Sequence, residues 1–409
     1  MISSSSAFAV FAHRDFRNFL IARFFATFTM MMMGVAVGWQ VYDLTKSPFA
    51  LGVVGLAQFV PAFLLTLPGG LAADRFERKR VIVFGLSLEL IVAASMLAIT
   101  LSPNPRVGAI YGVLTLIGVG RAFLAPAAQS FLPLLVPPED FVRAVAWNSS
   151  VFQAASIAGP AAAGLLYLLG PAYVYGCAAA CLLVAATLMA GIKARAITRT
   201  ANLRLTDLFT GVKFVFSRQE ILGAVSLDLF AVLFGGATAL LPIYASDILH
   251  TGPWGLGLLR SAPAVGAAAV ALWLAHHPIR TQAGKKLFGY VALFGFCTIV
   301  FGVSRSFWLS LVTLAVLGAA DMISVVIRQT LVQIATPDAM RGRVSAVNLL
   351  FIGASNELGE FESGVTAGWF GTVRSVVIGG LGTLLVVGLW AWRFPILRKM
   401  DRLDRSQET

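Results

Sequence analysis

The stretch Gly118–Gly164 reads GVGRAFLAPAAQSFLPLLVPPEDFVRAVAWNSSVFQAASIAGPAAAG, and Gly318–Gly364 reads GAADMISVVIRQTLVQIATPDAMRGRVSAVNLLFIGASNELGEFESG 200 residues later. Nine of the 47 aligned positions are identical without a gap. The identical pairs are Gly118/Gly318, Gln129/Gln329, Pro137/Pro337, Arg143/Arg343, Ala146/Ala346, Asn148/Asn348, Ala154/Ala354, Gly159/Gly359 and Gly164/Gly364. Each copy contains an apolar run, a short turn with proline and charged residues, and a second apolar run. The chain is therefore predicted to consist of two related halves.

The composition is that of a membrane protein. Hydrophobic residues make up 58% of the chain and charged residues 12%, whereas soluble domains carry about 25% charged residues. The three cysteines lie in apolar runs and have no partners at metal-ligand spacing, so we interpret them as packing residues. No metal site is expected.

Twelve apolar segments have the length of a membrane-spanning helix, which needs about 20 residues. They are 17–43, 49–74, 79–101, 107–135, 140–169, 171–192, 220–249, 254–276, 285–304, 307–335, 342–370 and 373–395. The predicted fold is thus an all-α integral membrane protein. Its predicted parts are a first bundle at 1–192, a linker at 193–219, a second bundle at 220–395 and a tail at 396–409. The apolar spacing in the linker predicts an amphipathic helix on the inner leaflet.

Lysine and arginine fix the orientation. Of 31 such residues, 23 fall at the N-terminus, in alternate loops and in the tail, and only four fall in the opposite loops. The positive-inside rule therefore places both termini in the cytoplasm, which requires an even number of spans. The net charge of +12 is explained by topology and by contact with anionic lipid, and nucleic acid is not expected as a partner.

The loop Gly69–Arg80 reads GGLAADRFERKR and resembles the signature G-x-L-A-D-R-x-G-R-K of the major facilitator superfamily. The matching residues are Gly70, Asp74, Arg75, Arg78 and Lys79, whereas Ala72 replaces the leucine and Glu77 the second glycine. The first copy of the repeat, with its GRAFLAPAAQSFLPLLVP segment, resembles the branch related to bacterial enterobactin exporters. This resemblance implies two pseudo-symmetric bundles of six helices, and a monomeric transporter of the bacterial inner membrane.

The signature loop suggests a conformational latch. The Asp74 carboxylate, at a helix end beside basic residues, could hold a neighbouring helix N-terminus or an arginine in one state and release it in another. The alternative is a stop-transfer cluster without a switching role. The second half has only a partial copy, near Arg280 and Gly284, so the latch is expected to be stronger in the first half.

Gly159, Pro160 and Gly164 in the fifth span resemble the antiporter motif G-P-x-x-G-G of the same superfamily. Small residues allow close helix contact, and proline bends a helix. The last glycine lies one place late, so ordinary helix packing is the alternative.

Ionisable residues inside spans are costly and are therefore candidates for function. Arg121 and Asp321 occupy equivalent positions of the repeat. The resemblance implies that the first, fourth, seventh and tenth helices line a central cavity. In that cavity Arg121 and Asp321 could pair with each other or hold opposite ends of a substrate. The alternative is that they form a purely structural pair. Asp228 in the seventh span is a further cavity candidate, and Gln40 is an uncharged hydrogen-bonding one.

Glu357 and Glu360 are predicted to share one helix face, because they are three residues apart. Two carboxylates so close would not both ionise cheaply in a membrane, so one of them is a candidate proton carrier. The alternative is neutralisation by Arg260 or Arg328. Arg328 is a candidate pathway residue that could instead reach the phosphate layer of the lipid. Glu89, on an outer helix, is expected to make a structural hydrogen bond.

The chain lacks the GxxxxGK[ST] motif of ATP-driven motors and shows no catalytic motif, so we do not expect an enzyme. The predicted function is a secondary active transporter that exports a small amphipathic molecule, such as a siderophore or a drug-like compound, by alternating access. A proton gradient would supply the energy, and no cofactor is expected. The alternatives are an importer or lipid flippase of the same fold, or a membrane scaffold or sensor that does not transport.

Overall fold

A computed structural model describes residues 9–193, 205–279, 281–337 and 340–401. All elements in these ranges are helical. The described residues fall into two compact units, the first within Met1–Thr45 and Ala57–Asn202 and the second within Lys46–Leu56 and Leu203–Thr409. The first turns of the second helix therefore belong to the second unit.

The long helices of the first unit follow the predicted spans. They are α1 (Arg14–Thr45), α2 (Pro48–Arg75, shared with the second unit), α3 (Arg78–Leu101), α4 (Val107–Phe131), α5 (Phe141–Leu166) and α6 (Pro171–Ala190). Helix α1 packs against α5 and α6, and α3 packs against α4 and α6. The buried side chains are mainly valine, leucine, alanine and methionine, so apolar burial and close helix contact hold this unit together.

The second unit contains nine helices in its described residues. They are α7 (Leu205–Ser217), α8 (Gln219–Phe234), α9 (Leu241–Ile243), α10 (Gly252–His276), α11 (Ala283–Val303), α12 (Phe307–Ala335), α13 (Arg341–Phe370), α14 (Thr372–Arg393) and α15 (Pro395–Lys399). Helix α10 packs on α12, α11 packs on α12 and α14, and α8 packs on α13 and α14.

The predicted fold class is confirmed. Eleven described segments are long and apolar enough to cross a membrane. The remaining predicted span, 342–370, corresponds to α13, a helix of 30 residues that carries Glu357, Glu360 and Glu362. At 1.5 Å per residue this helix is about 45 Å long, which exceeds the roughly 30 Å of a hydrocarbon core.

The seventh span is broken, contrary to the continuous helix predicted at 220–249. Helix α8 ends at Phe234, and the span continues through Gly235 and Gly236 to a 3-10 turn, the short α9 and a π-helical turn at Tyr244–Ile248. A Cβ atom on Gly236 would lie 2.6 Å from the backbone oxygen of Gly359 on α13. The two glycines have no side chain to support the helix, and this close contact holds the break.

The amphipathic helix α7 packs on protein rather than lying free on the leaflet. Val215 of α7 is buried in a cluster with Val332 of α12 and with Val344 and Val347 of α13. Gly211 meets the backbone of Arg343 at close range. The apolar face that suggested a membrane surface is therefore at least partly covered by the second unit.

Glycines of the repeat make equivalent close contacts in the two units. A Cβ atom on Gly118 of α4 would collide with the backbone oxygen of Gln58 on α2. A Cβ atom on Gly318 of α12 would collide with that of Pro263 on α10. The shared glycines thus mark the points where one helix backbone touches its neighbour.

The glycine of the fifth span behaves in the same way. A Cβ atom on Gly159 would lie 2.7 Å from the backbone oxygen of Phe28 on α1, and one on Gly359 would lie 2.9 Å from that of Leu233 on α8. Gly159, like its neighbour Pro160, is buried. In the structure this motif packs α5 on α1, and the antiporter role remains a prediction.

Candidate functional site

A buried ion pair joins α8 and α12 in the second unit. The Nη2 atom of Arg328 lies 3.1 Å from Oδ2 of Asp228, and the two side chains are 2% and 8% exposed. Removing two charges from water is costly, and their mutual attraction repays that cost only when the geometry is good. Arg328 therefore does not reach out to the lipid phosphates but neutralises Asp228 inside the protein.

Asn348 of α13 is a second partner of this guanidinium. Nη1 of Arg328 donates a hydrogen bond to Oδ1 of Asn348 at 3.1 Å. The Nε atom of Arg328 is buried and has no hydrogen-bond partner among the described residues. Arg328 thus ties three helices together, and one of its donors remains unused.

Asp321 adds a second carboxylate to the same site. It precedes Arg328 by seven residues on α12, which places both on one face about 10 Å apart along the axis. The charges that act on Asp321 are those of Asp228 and Arg328. Its side chain is half-buried. We call Asp228, Asp321 and Arg328 the second-unit charge cluster; with all three ionised, it has one excess negative charge.

The first unit holds a different charge cluster. Glu89 of α3 is buried, and the charges that act on it are those of Arg121 on α4 and Arg23 on α1. Both arginines are half-buried. The Cγ atom of Glu89 lies 3.9 Å from the Cβ position of Gly120, so Glu89 faces α4. We call Arg23, Glu89 and Arg121 the first-unit charge cluster.

Two members of this cluster were missed as candidates in the sequence. Arg23 was counted only as an arginine within a span, and Glu89 was assigned to an isolated hydrogen bond. The available signal was that three helices of one half each carry an ionisable residue inside the membrane. The predicted pairing of Arg121 with Asp321 would join the two units and remains a prediction; within its own unit, each belongs to a separate cluster.

Glu360 of α13 has a cationic neighbour. The Nη2 atom of Arg260 on α10 lies 3.8 Å from its Oε1 atom, and the two side chains are about a quarter exposed. This contact agrees with the alternative in which an arginine neutralises the two glutamates. The distance between Arg260 and Glu360 is long for an ion pair, and both side chains are partly hydrated. Glu357 is also half-buried. Whether either glutamate carries a proton remains a prediction.

Gln40 forms hydrogen bonds between helices and is not part of either charge cluster. Its Oε1 atom accepts a hydrogen bond of 2.7 Å from the hydroxyl of Tyr175 on α6. Its Nε2 atom donates to Oγ1 of Thr100 on α3 at 3.0 Å. The buried amide therefore joins α1, α3 and α6, and this position favours a packing role over the predicted place on a pathway.

The basic residues of the signature loop hold helix ends. Nη1 of Arg78 donates to the backbone oxygen of Ser130 at the end of α4 at 2.7 Å. Nζ of Lys79 donates to the oxygen of Ile192, just beyond α6, at 3.0 Å. Cations satisfy the free carbonyls of helix C-termini and complement the helix dipole. The side chain of Asp74 lies outside the described residues, so the acidic half of the latch remains a prediction.

Among the described residues, Gly70 and Arg75 of the signature make no comparable contact. Gly70 has open space at its Cβ position, and Arg75 is exposed at the end of α2. Among the matching residues of the signature, the described contacts with helix ends thus come from Arg78 and Lys79.

Loss of these caps is expected to have a modest, measurable effect. Replacing both Arg78 and Lys79 with alanine should lower the free energy of unfolding by about 0.5–2 kcal/mol, since each cation at a helix end contributes about 0.3–1 kcal/mol. The melting temperature of the purified protein in detergent measures this change. Arg80→Ala is the matched control, because Arg80 is exposed and pairs with Glu77 of the same loop. Equal melting of both variants would contradict the capping role.

In the second unit, the loop before α11 is equivalent to the signature loop. Residues of the C-terminal tail form hydrogen bonds with it. The backbone nitrogen of Gln282 donates to Oδ1 of Asp401 at 3.0 Å. The nitrogens of Ala283 and Gly284 donate to the backbone oxygens of Asp401 and Met400 at 3.1 and 2.9 Å. The acid that this half lacks near its partial signature is thus supplied from 119 residues further along the chain.

Comparison with known proteins gives a match along almost the whole chain. A family described as transmembrane secretion effector matches residues 5–409. The enterobactin exporter EntS of Citrobacter koseri is 29% identical over 391 residues, which cover 92% of this chain and 91% of that protein. EntS of Escherichia coli O1:K1 / APEC is 28% identical over 394 residues with the same coverage.

Solved structures agree with the fold. The crystal structure of a POT family transporter in complex with 5-aminolevulinic acid has a TM-score of 0.75 at 13% identity and covers 94% of this chain and 97% of that chain. A bacterial homologue of the human lysosomal transporter Spinster, in an inward-facing and occupied conformation, has a TM-score of 0.73 at 13% identity and covers 97% and 99%. At these identities the likeness establishes the fold alone.

Proposed function

Because this chain belongs to the transmembrane secretion effector family of the major facilitator superfamily, we propose that it is a proton-coupled exporter of a small amphipathic molecule of the siderophore class. It is a multi-pass membrane transporter. In the proposed role it moves its substrate out of the cytoplasm across the bacterial inner membrane by alternating access. The full-length similarity to proteins named enterobactin exporters supports both the direction and the substrate class.

The second-unit charge cluster is the observation that carries proton coupling. A charged residue at the centre of a span costs about 2.5–3.5 kcal/mol or more, so three in one part of the second unit are not expected in a scaffold without a function for them. Asp228 and Arg328 neutralise each other at 3.1 Å, which leaves the charge of Asp321 in excess. One proton on Asp321 makes the cluster neutral.

The cluster also suggests how the proton could act on the helices. In the proposed cycle, protonated Asp321 leaves Arg328 bound to Asp228 and Asn348. Loss of the proton adds a negative charge on the same face of α12 and draws the guanidinium away from its partners. Because Arg328 contacts α8 and α13 through those partners, the proton biases the packing of three helices. Asp321 is a partly exposed residue, and the proposed cycle uses this exposure for proton exchange.

Replacing Asp321 with asparagine should abolish proton-driven export. The measurement is uptake of enterobactin into proteoliposomes that contain the purified protein and carry an imposed proton gradient. We expect the variant to transport at the rate of protein-free vesicles while retaining its expression and melting temperature. Glu139→Gln is the control, because this carboxylate is exposed.

The outcomes separate the possibilities. Wild-type flux in the Asp321 variant would remove this residue as the carrier. Failure of the wild-type protein to transport enterobactin and related siderophores under any gradient would contradict the proposed function, and net movement in the opposite direction would indicate an importer.

A further inference from the structure

The segment Phe394–Asp401 follows α14 and folds back onto the second unit; we call it the tail strap. Its residues Met400 and Asp401 accept three hydrogen bonds of 2.9–3.1 Å from the backbone nitrogens of residues 282–284. The first amides of a helix have no hydrogen-bond partner within that helix. The tail strap therefore supplies partners that the start of α11 would otherwise find only in water.

The tail strap is also anchored in the core between α8 and α11. Leu397 is 1% exposed and belongs to a hydrophobic cluster with Leu227 of α8 and Leu287 of α11. A Cβ atom on Gly284 would collide with the backbone oxygen of Leu397, so the strap lies directly on the first turn of α11. One short segment thus joins the beginning of α11 to the helix that carries Asp228.

Aromatic side chains extend the contact with α8. The Nε1 atom of Trp390, near the end of α14, donates a hydrogen bond of 2.9 Å to Oγ of Ser226. The ring of Phe394 lies 3.0 Å from the Cβ position of Gly223. Ser226 and Gly223 occupy the two helical turns that precede Asp228. A shift of α8 at the second-unit charge cluster therefore changes the surface on which the tail strap packs.

The contact between the tail strap and α11 has features of a contact that can open. Gln282 has a φ of 56°, in the left-handed region. This conformation is costly for a residue with a side chain, and it persists only where the surroundings impose it. Gln282 and Asp401 are both exposed, so water can replace the hydrogen bond between them. Release of the strap would relax the backbone of Gln282 and hydrate the freed amides.

We propose that the tail strap is a conformational latch of the second unit, which holds the first turn of α11 to α8 and releases it when α8 changes its packing during transport. This inference rests on the proposed alternating access and adds a moving part to it. In the first unit, the side chains of Arg78 and Lys79 hold helix ends from within one loop. In the second unit, the tail strap has this role and links α11 to the helix of the charge cluster.

The first test measures opening of the tail strap without any substrate. In a full-length chain whose three native cysteines are replaced with serine, Leu397→Cys introduces a thiol that N-ethylmaleimide reaches only when the strap detaches. The added pair Gln282→Cys/Asp401→Cys allows the strap to be locked by a disulfide, because the backbones of these neighbouring residues are hydrogen-bonded. We expect labelling to be at least tenfold slower with the disulfide formed than after its reduction. Where Leu397→Cys fails to fold, the partly buried Met400→Cys takes its place.

The second test asks whether transport requires opening. Proteoliposomes that contain the Gln282→Cys/Asp401→Cys protein are assayed for uptake of enterobactin under an imposed proton gradient. We expect the disulfide-linked protein to transport at less than one tenth of the rate of the reduced protein, and dithiothreitol should restore the rate. The single variants Gln282→Cys and Asp401→Cys, treated with the same oxidant, are the controls and should keep their flux.

Two results would overturn the inference. If Leu397→Cys and Met400→Cys are labelled only in denatured protein, the tail strap is a fixed part of the fold. If the disulfide-linked protein transports at the full rate, release of the strap is not part of the cycle. Failure of the wild-type protein to transport would instead contradict the proposed function, and labelling would still decide whether the strap opens.

Discussion

Replacement of Asp228 with asparagine is expected to destabilise the second unit by about 3–5 kcal/mol, because it removes the carboxylate that forms the ion pair with the buried guanidinium of Arg328. The side chain of Arg328 is only 2% exposed. Asn348 would remain its hydrogen-bond partner, but an amide oxygen does not neutralise a charge. The change is measured as the free energy of unfolding in mixed micelles titrated with sodium dodecyl sulfate.

The double variant Asp228→Asn/Arg328→Gln provides the control. It removes both charges, and the loss should be smaller than for Asp228→Asn alone, because replacing a buried pair is far less costly than breaking one. The coupling free energy from the double-mutant cycle then isolates the pair. Additive losses, with no coupling, would show that Asp228 and Arg328 act independently.

Replacement of Gly318 with valine is expected to disrupt the contact between α10 and α12. The new side chain would collide with the backbone oxygen of Pro263, which cannot move without shifting α10. Overpacking of this kind costs about 1–3 kcal/mol and more where backbone must move. The melting temperature of the purified protein should fall, or folded protein should be lost from detergent extracts.

Gly289→Val on α11 is the matched control, because the structure places no atom within 4 Å of the Cβ position there. The repeat supplies a second comparison, since Gly118→Val should have a similar effect through Gln58 in the first unit. Equal stability of Gly318→Val and Gly289→Val would contradict the close helix contact.

Most of the fold could be predicted from the sequence because a membrane imposes simple rules. Each span needs about 20 apolar residues, and their ends carry glycine, proline and basic residues. The break at Gly235 and Gly236 escaped prediction, because hydropathy averages over a span and does not register a change of helix type. The contact that holds it, with Gly359, lies more than 100 residues away.

The candidate site was predictable in its members but not in its partners. Asp228, Asp321 and Arg328 stand out as charges inside spans. Their pairing depends on which faces of α8 and α12 meet, and sequence spacing within one helix carries no such information. The alternative in which Arg328 reaches the lipid phosphates is contradicted by its ion pair with Asp228. The tail residue Asp401 was missed in the same way, since its contact spans 119 residues.

The interrupted seventh span also has a mechanical consequence. Helix α8 carries Asp228 on one side of the break. The last α-helical bond runs from the nitrogen of Gly235 to the oxygen of Ala231, and the nitrogen of Ala237 then donates to the oxygen of Gly235 instead. An interrupted helix bends at the interruption, whereas a continuous helix tilts as one piece. The ion pair and the segment Ala237–Ile248 are therefore not connected by one continuous α-helical ladder of hydrogen bonds.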